Sequence, residues 1–301
     1  MKQKTKFLPH NLMELPPNSE KKIPKVGVVI GSGGLKSLGS IELLALLERE
    51  NIPIDHLFGS SGGSLISGFY ASLNSVEKVR DVIDFVTHVP GVMTQFDYLS
   101  LASMIGIPGV AFKTGSGVLK PDLLIQSFRT VLGNMRLESL PRKVTLQATD
   151  MNSGEEIQLN SGNVAEAIYV SGALQPFLPP RMYEGRLLGD GAYTNPVPIL
   201  TAINAGMELI IAIRFLEKTI ENHDLFSVFN DFISKVVEKH RRLHMMLAIN
   251  MQYYEIITIP IYYDECINIW DFDKVPSICK KSREVIETYR DEIVNAYATF
   301  N

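Results

Sequence analysis

The chain has 301 residues, 46% of them hydrophobic and 21% charged, with 29 Lys+Arg against 33 Asp+Glu and a formal net charge of −4. This is ordinary globular composition, enough to bury a sizeable core, and it argues against a general nucleic-acid binder. The two cysteines, Cys266 and Cys279, are too few for a disulfide framework and lack the C-x-x-C spacing of metal or redox sites.

Residues 1–24 are rich in Lys, Pro, Asn and Glu and lack the apolar run of a secretory signal. They are expected to form an extended or partly disordered arm, with one α/β domain over 25–301. No apolar run reaches the ~18 residues of a membrane span. The expectation is a cytoplasmic protein with peripheral membrane contact at most. Val26–Ile30 is a β-branched run and reads as a buried strand. Leu38–Asn51 has helical apolar spacing, Ile54–Phe58 is the next strand, and Ser61–Leu73 and Val76–Val86 are helices. Lys143–Thr149 and Glu156–Leu159 read as strands around the turn Asn152-Ser153-Gly154, and Asn163–Ser171 as a helix. Leu187–Leu188 closes a short strand, Val197–Ala205 is helical, and Glu208–Ile213 is a strand. Leu225–Asn250 is a long helical stretch, Ile256–Ile261 a strand, and Lys274–Tyr297 a terminal helix. Strands alternating with helices predict a mainly parallel sheet covered by helices.

Three segments carry chemistry. Gly59-Ser60-Ser61-Gly62-Gly63 joins the second strand to the next helix. Only Ser61 has glycine at both −2 and +2, the G-x-S-x-G form of a nucleophile elbow. Ser61 is the candidate nucleophile in a strained turn, and Gly59 and Gly63 let neighbouring backbone pass close by. On its own, the pentapeptide also reads as a structural Gly/Ser loop.

Gly31-Ser32-Gly33-Gly34-Leu35-Lys36-Ser37 follows the first strand. Backbone N–H groups in such a turn converge and bind anions. A Walker A loop needs glycine just before its lysine, and Leu35 stands there. A G-x-G-x-x-G loop meets Lys36 where its third glycine belongs. An oxyanion hole and a plain structural turn both remain open, with phosphate or nucleotide binding as the alternative function. The third segment is Leu188-Gly189-Asp190-Gly191-Ala192. Asp between glycines is commonly structural. At a strand end it can also take a nucleophile's proton directly, or orient a base. Of the six histidines, His10, His56, His88, His223, His240 and His244, the last three follow Asp190. None of them sits in a turn after a strand, so a His-based triad is not expected.

In this order the three segments resemble the patatin-like phospholipases, in particular the smaller bacterial single-domain members. The resemblance runs from Val26 to Ala298. It includes Ala148–Glu155, Tyr169–Pro180 and Asp190–Pro198. It implies a three-layer α/β/α fold with a central, mainly parallel sheet. It also implies a Ser–Asp dyad without histidine, Ser61 as nucleophile and Asp190 as base within an acid motif completed by Gly191 and Ala192. The N–H groups of Gly33, Gly34 and Leu35 would hold the oxyanion. The implied reaction is ester hydrolysis through an acyl-enzyme, of phospholipase A, lysophospholipase or esterase type, on a lipid or ester substrate and without metal or cofactor. The loop departs from the family pattern. Ser32 replaces a glycine, Lys36 stands for an arginine and Ser37 for the following glycine. Lys36 keeps the charge for a loop or head-group contact but loses the planar fork. A catalytically weak member that binds lipid or a partner is the alternative this loop supports.

Two further stretches bear on the substrate. Phe96–Phe112 is apolar, with Gly and Pro. It is expected to be a buried core helix; exposed, it would be a lid or a membrane-facing surface. The basic stretch Lys235–His244 is expected to be a solvated helix face, with anionic head groups or a second subunit as the alternative.

Overall fold

The computed structural model describes residues 23–104, 109–111, 115–217, 255–265 and 267–300, together with Phe232, Lys235 and Lys239. Nearly all of the predicted arm, most of the helix predicted over Leu225–Asn250 and most of its basic stretch lie outside the described residues.

Eight strands form one sheet: β1 (Val26–Ile30), β2 (His56–Ser60), β3 (Lys143–Asp150), β4 (Glu156–Leu159), β5 (Arg181–Tyr183), β6 (Arg186–Asp190), β7 (Leu209–Glu217) and β8 (Glu255–Tyr263). The order is β5-β6-β3-β2-β1-β7-β8, with β4 also on β3. The run from β3 to β8 is parallel, and β4, β5 and β6 are antiparallel additions. β1 reads VGVVI and is buried along its whole length. A strand without a polar face belongs in the middle of a sheet covered on both sides.

The pleat then divides the apolar side chains between two cores. Val26, Val28 and Ile30 join the larger core, with Leu57, Leu209 and Ile211. Val29 joins the smaller one, with Phe58, Ile210 and Ala212. The larger core takes in α1 (Ile41–Arg49), α2 (Gly62–Leu73), α3 (Val76–Thr87), α5 (Asp122–Leu132) and α6 (Val164–Ser171), and also α8 (Val275–Glu287) and α9 (Arg290–Ala298). The smaller is closed by α7 (Ile199–Asn204). The result is the three-layer α/β/α arrangement, mainly parallel at its centre.

Several expected elements shift. The helix predicted from Leu38 begins as a 3-10 turn, Gly34–Ser40, and becomes α-helical at Ile41. β2 starts at His56 rather than Ile54, because the Asp55 carboxylate accepts the Val26 N–H at 2.7 Å and turns the chain there. The single terminal helix is two helices that meet at Thr288–Tyr289. The buried core helix expected over Phe96–Phe112 is corrected where it is described: α4 spans Tyr98–Met104, and Tyr98 and Leu99 are 76% and 74% exposed. Residues 105–108 and 112 of that stretch lie outside the described residues.

Away from the site, the carboxylate of Glu42 on α1 is almost fully buried. Arg80 Nη2 of α3 approaches its Oε1, and Arg283 of α8 donates to its Oε2, each at 2.8 Å. Removing a buried partner strands the remaining charges, although both guanidinium groups here keep access to water. Glu42→Ala is therefore expected to cost about 2 kcal/mol of stability in urea denaturation. A cost below about 0.5 kcal/mol would mean that these pairs behave as surface pairs do.

Candidate active site

Ser61 lies between the end of β2 and the start of α2, with φ 54° and ψ −126°. This region costs an L-residue on the order of 1–3 kcal/mol, and such residues cluster at functional sites. The turn is tight because two backbones pass through it. A Cβ on Gly59 would come within 2.7 Å of Ser64 Cα. A Cβ on Gly63 would run into the carbonyl oxygens of Ile30 and Gly31. The elbow is thereby seated on the loop that follows β1.

Sheet register brings Asp190 to Ser61. β2 pairs with β3 as far as Ser60 opposite Gln147, and β6 begins its pairing at the next residue, Asp190 opposite Ala148. Gln147 and Ala148 both carry β4 on their other side. β2 and β6 therefore share one side of β3 and meet there, C-terminal end to C-terminal end. Ser61 Oγ donates to Asp190 Oδ2 at 2.7 Å.

The second carboxylate oxygen, Oδ1, accepts the Ala192 N–H at 2.8 Å. The Asp190 carbonyl accepts from Thr149 Oγ1 at 2.8 Å. Gly191 begins a 3-10 turn, Gly191–Tyr193, pressed against the Gln147 carbonyl. Asp190 is fully buried. Burial pushes its pKa up to about 6, against the smaller opposing effects of the Ala192 N–H and the Ser61 hydroxyl.

The Gly31–Ser37 loop faces this pair. Its first N–H groups bond outward, Gly31 to the Ile213 carbonyl and Ser32 to the Pro196 carbonyl. The N–H groups of Gly33, Gly34 and Leu35 have no acceptor among the described residues, as the opening donors of a helical turn do not. Ser37, where the family pattern has glycine, is buried and its hydroxyl donates to the Gly31 carbonyl at 3.3 Å, closing the loop on itself.

Ser61, Asp190, Gly34 and Leu35 share the wall of one cavity; Gly33 and Lys36 do not reach it. Away from the pair the wall is apolar, with Leu65 and Phe69 of α2, Val82 and Val86 of α3, and Leu124 and Phe128 of α5. α5 is a helix that none of the elements predicted from the sequence covers. Pro121-Asp122 at its start, apolar residues at 124, 125, 128 and 132, and Gly133 after its end were the available signal. Neither described histidine lines the cavity. His56 stacks on Phe58 and hydrogen-bonds Thr145, and His88 is exposed beside Asp84. His10, His223, His240 and His244 lie outside the described residues. The described residues hold no group of three or more His, Cys, Asp or Glu placed to bind a metal ion.

The profile of the family described as patatin-like phospholipase matches residues 28–203, more than half of the chain. The chain belongs to the patatin-like phospholipase family. An uncharacterised NTE family protein of Mycobacterium tuberculosis is 27% identical over 190 residues, covering 63% of this chain and 49% of that protein. A lysophospholipase NTE1 of Lodderomyces elongisporus is 27% identical over 189 residues, 62% of this chain and 12% of its own length. The chain thus spans half or less of these curated relatives. Among solved structures, VipD from Legionella pneumophila superimposes with a TM-score of 0.51 at 11% identity, covering 90% of this chain and 67% of that one. At that identity the likeness is one of fold.

The raised pKa of Asp190 has a consequence for stability. Its folded value of about 6 lies above the ordinary carboxylate value of 3.8, so ionisation opposes folding at high pH. An asparagine there can accept the Ala192 N–H with its carbonyl oxygen and donate its amide to Ser61 Oγ, without the charge. Asp190→Asn is expected to be more stable than the wild type at pH 8 by up to about 3 kcal/mol, about 1.4 for each pKa unit. Paired urea titrations should show the gap closing as pH falls from about 6 to about 4. A less stable variant at pH 8 would contradict the burial argument.

Proposed function

We propose that the chain is a serine lipid acyl hydrolase that uses Ser61 and Asp190 as a dyad. The observation that carries this reading is the 2.7 Å hydrogen bond from Ser61 Oγ to a buried carboxylate at the head of an apolar cavity. Asp190, ionised at neutral pH yet more basic than an exposed carboxylate, takes the Ser61 proton as the oxygen attacks an ester carbonyl. The developing oxyanion is met by the N–H groups of Gly34 and Leu35, with that of Gly33 behind them. Asp190 then passes the proton to the leaving alcohol. In the second half, Asp190 takes a proton from water, the water oxygen attacks the acyl-enzyme, and the proton returns to Ser61 as the acid departs.

The cavity wall supports an acyl chain as the bound part of the substrate, and it argues against a polyphosphate lying on the Gly31–Ser37 loop. Phe96, Tyr98 and Leu99, at and just before the start of α4, form an exposed apolar group after Met93 of the cavity wall. We read them as the surface that meets a lipid interface. Among the described residues no helix is long and apolar enough to cross a membrane.

Ser61→Ala and Asp190→Asn are each expected to lower hydrolysis of a short-chain p-nitrophenyl ester by at least about a thousand-fold while the circular dichroism spectrum stays unchanged. Wild-type turnover in either would remove the dyad. The pH profile is a second check. Asp190 must be ionised in the free enzyme, so kcat/KM should rise with pH through about 6. An acid limb centred near pH 4 would mean that the titrating base is not this buried carboxylate.

A further inference from the structure

We propose that the substrate's acyl chain lies along α2 and that Phe69 and Phe128 set the longest chain that fits, an inference that rests on reading Ser61 as an acyl-transfer nucleophile. Ser61 caps the N-terminus of α2, and Leu65 and Phe69, four residues apart, lie on one face of the helix. All three line the cavity. The eight steps from this cap to Phe69 rise about 12 Å, at about 1.5 Å each. An extended hydrocarbon with carbon–carbon bonds of about 1.5 Å advances about 1.3 Å per carbon. The channel therefore measures on the order of nine carbons from the ester carbonyl.

The far end is closed. Neither Ser72 nor Leu73 of α2 reaches the cavity wall, and on α5 the wall stops at Phe128. The two phenylalanine rings meet edge to edge-on face, with centroids 5.6 Å apart and planes at 82°. Phe69 is 1% and Phe128 3% exposed, so among the described residues both rings are packed on all sides. The near end, where Ile269 and Phe272 join the wall, is partly open. A chain that enters beside the Ser61–Asp190 pair runs toward these rings, and a carbon beyond them has to displace a packed ring.

The test is a series of p-nitrophenyl esters with acyl chains from about four to about sixteen carbons, read as kcat/KM. Each methylene that fits is expected to raise kcat/KM roughly fourfold, with a break near nine carbons. Phe69→Ala and Phe128→Ala should move the break to longer chains. Because truncating a core phenylalanine can cost the fold, Leu65→Phe is the companion variant, placed halfway along at a partly exposed position. It should move the break to shorter chains by several carbons. Binding is read separately, as the melting-temperature shift that saturated fatty acids of the same lengths give Ser61→Ala. A rise that continues to sixteen carbons, or a break that Leu65→Phe leaves in place, overturns the channel but leaves the hydrolase reading standing. A chain-length break in the binding series without ester turnover in the wild type overturns the hydrolase reading and supports the channel.

Discussion

The structure depends on one meeting point in the sheet. β2 runs up β3 and stops at Gln147, and β6 runs down the same side and stops at Ala148. Two strands that end against consecutive residues of a third bring Ser61, the residue that follows β2, against Asp190, the last residue of β6. The hydrogen bond between Ser61 and Asp190 is thus a product of strand register, the best-specified relation in a buried sheet. Slipping β6 by one residue would turn Asp190 to the other face and put Gly189 in its place.

This arrangement carries two local costs. Ser61 is held at positive φ, and Asp190 is held without water. Both are sustained by rigid surroundings. The elbow rests on carbonyl oxygens of the first loop, and the carboxylate is fixed by the Ala192 N–H and the Ser61 hydroxyl. The burial that destabilises the charge also makes it a stronger base, so the same burial that opposes folding would serve the proposed proton transfer. The loop departures fit the same account. Ser37 supplies with its hydroxyl a closure that glycine could not, and Lys36 sits on the loop away from the cavity wall.

Much of this was legible in the sequence. β1 announced a covered central strand through an unbroken apolar run, and the glycines around Ser61 announced a crowded turn, because both signals are local. By its local pattern Asp190 was legible only as Asp between glycines at a strand end, and its pairing with Ser61 was implied by the family resemblance. Its contact with Ser61 spans 129 residues and depends on β3, β4 and β6 lining up, which no local pattern encodes. The α4 segment misled for the opposite reason. Its apolar composition resembles core, yet Tyr98 and Leu99 face outward, and composition does not record what a surface touches. α5 was overlooked although its capping and periodicity were present, and with it went Phe128 and the far wall of the cavity.

The central claim is that Asp190 activates Ser61 directly. The most direct measurement is intact and peptide mass spectrometry after timed exposure to a fluorophosphonate at several pH values. The account predicts a single adduct on the Ser61 peptide. Its rate of formation should rise with pH through about 6 and fall at least about a hundred-fold in Asp190→Asn. An adduct on another residue, or wild-type labelling of Ser61 in Asp190→Asn, would contradict it.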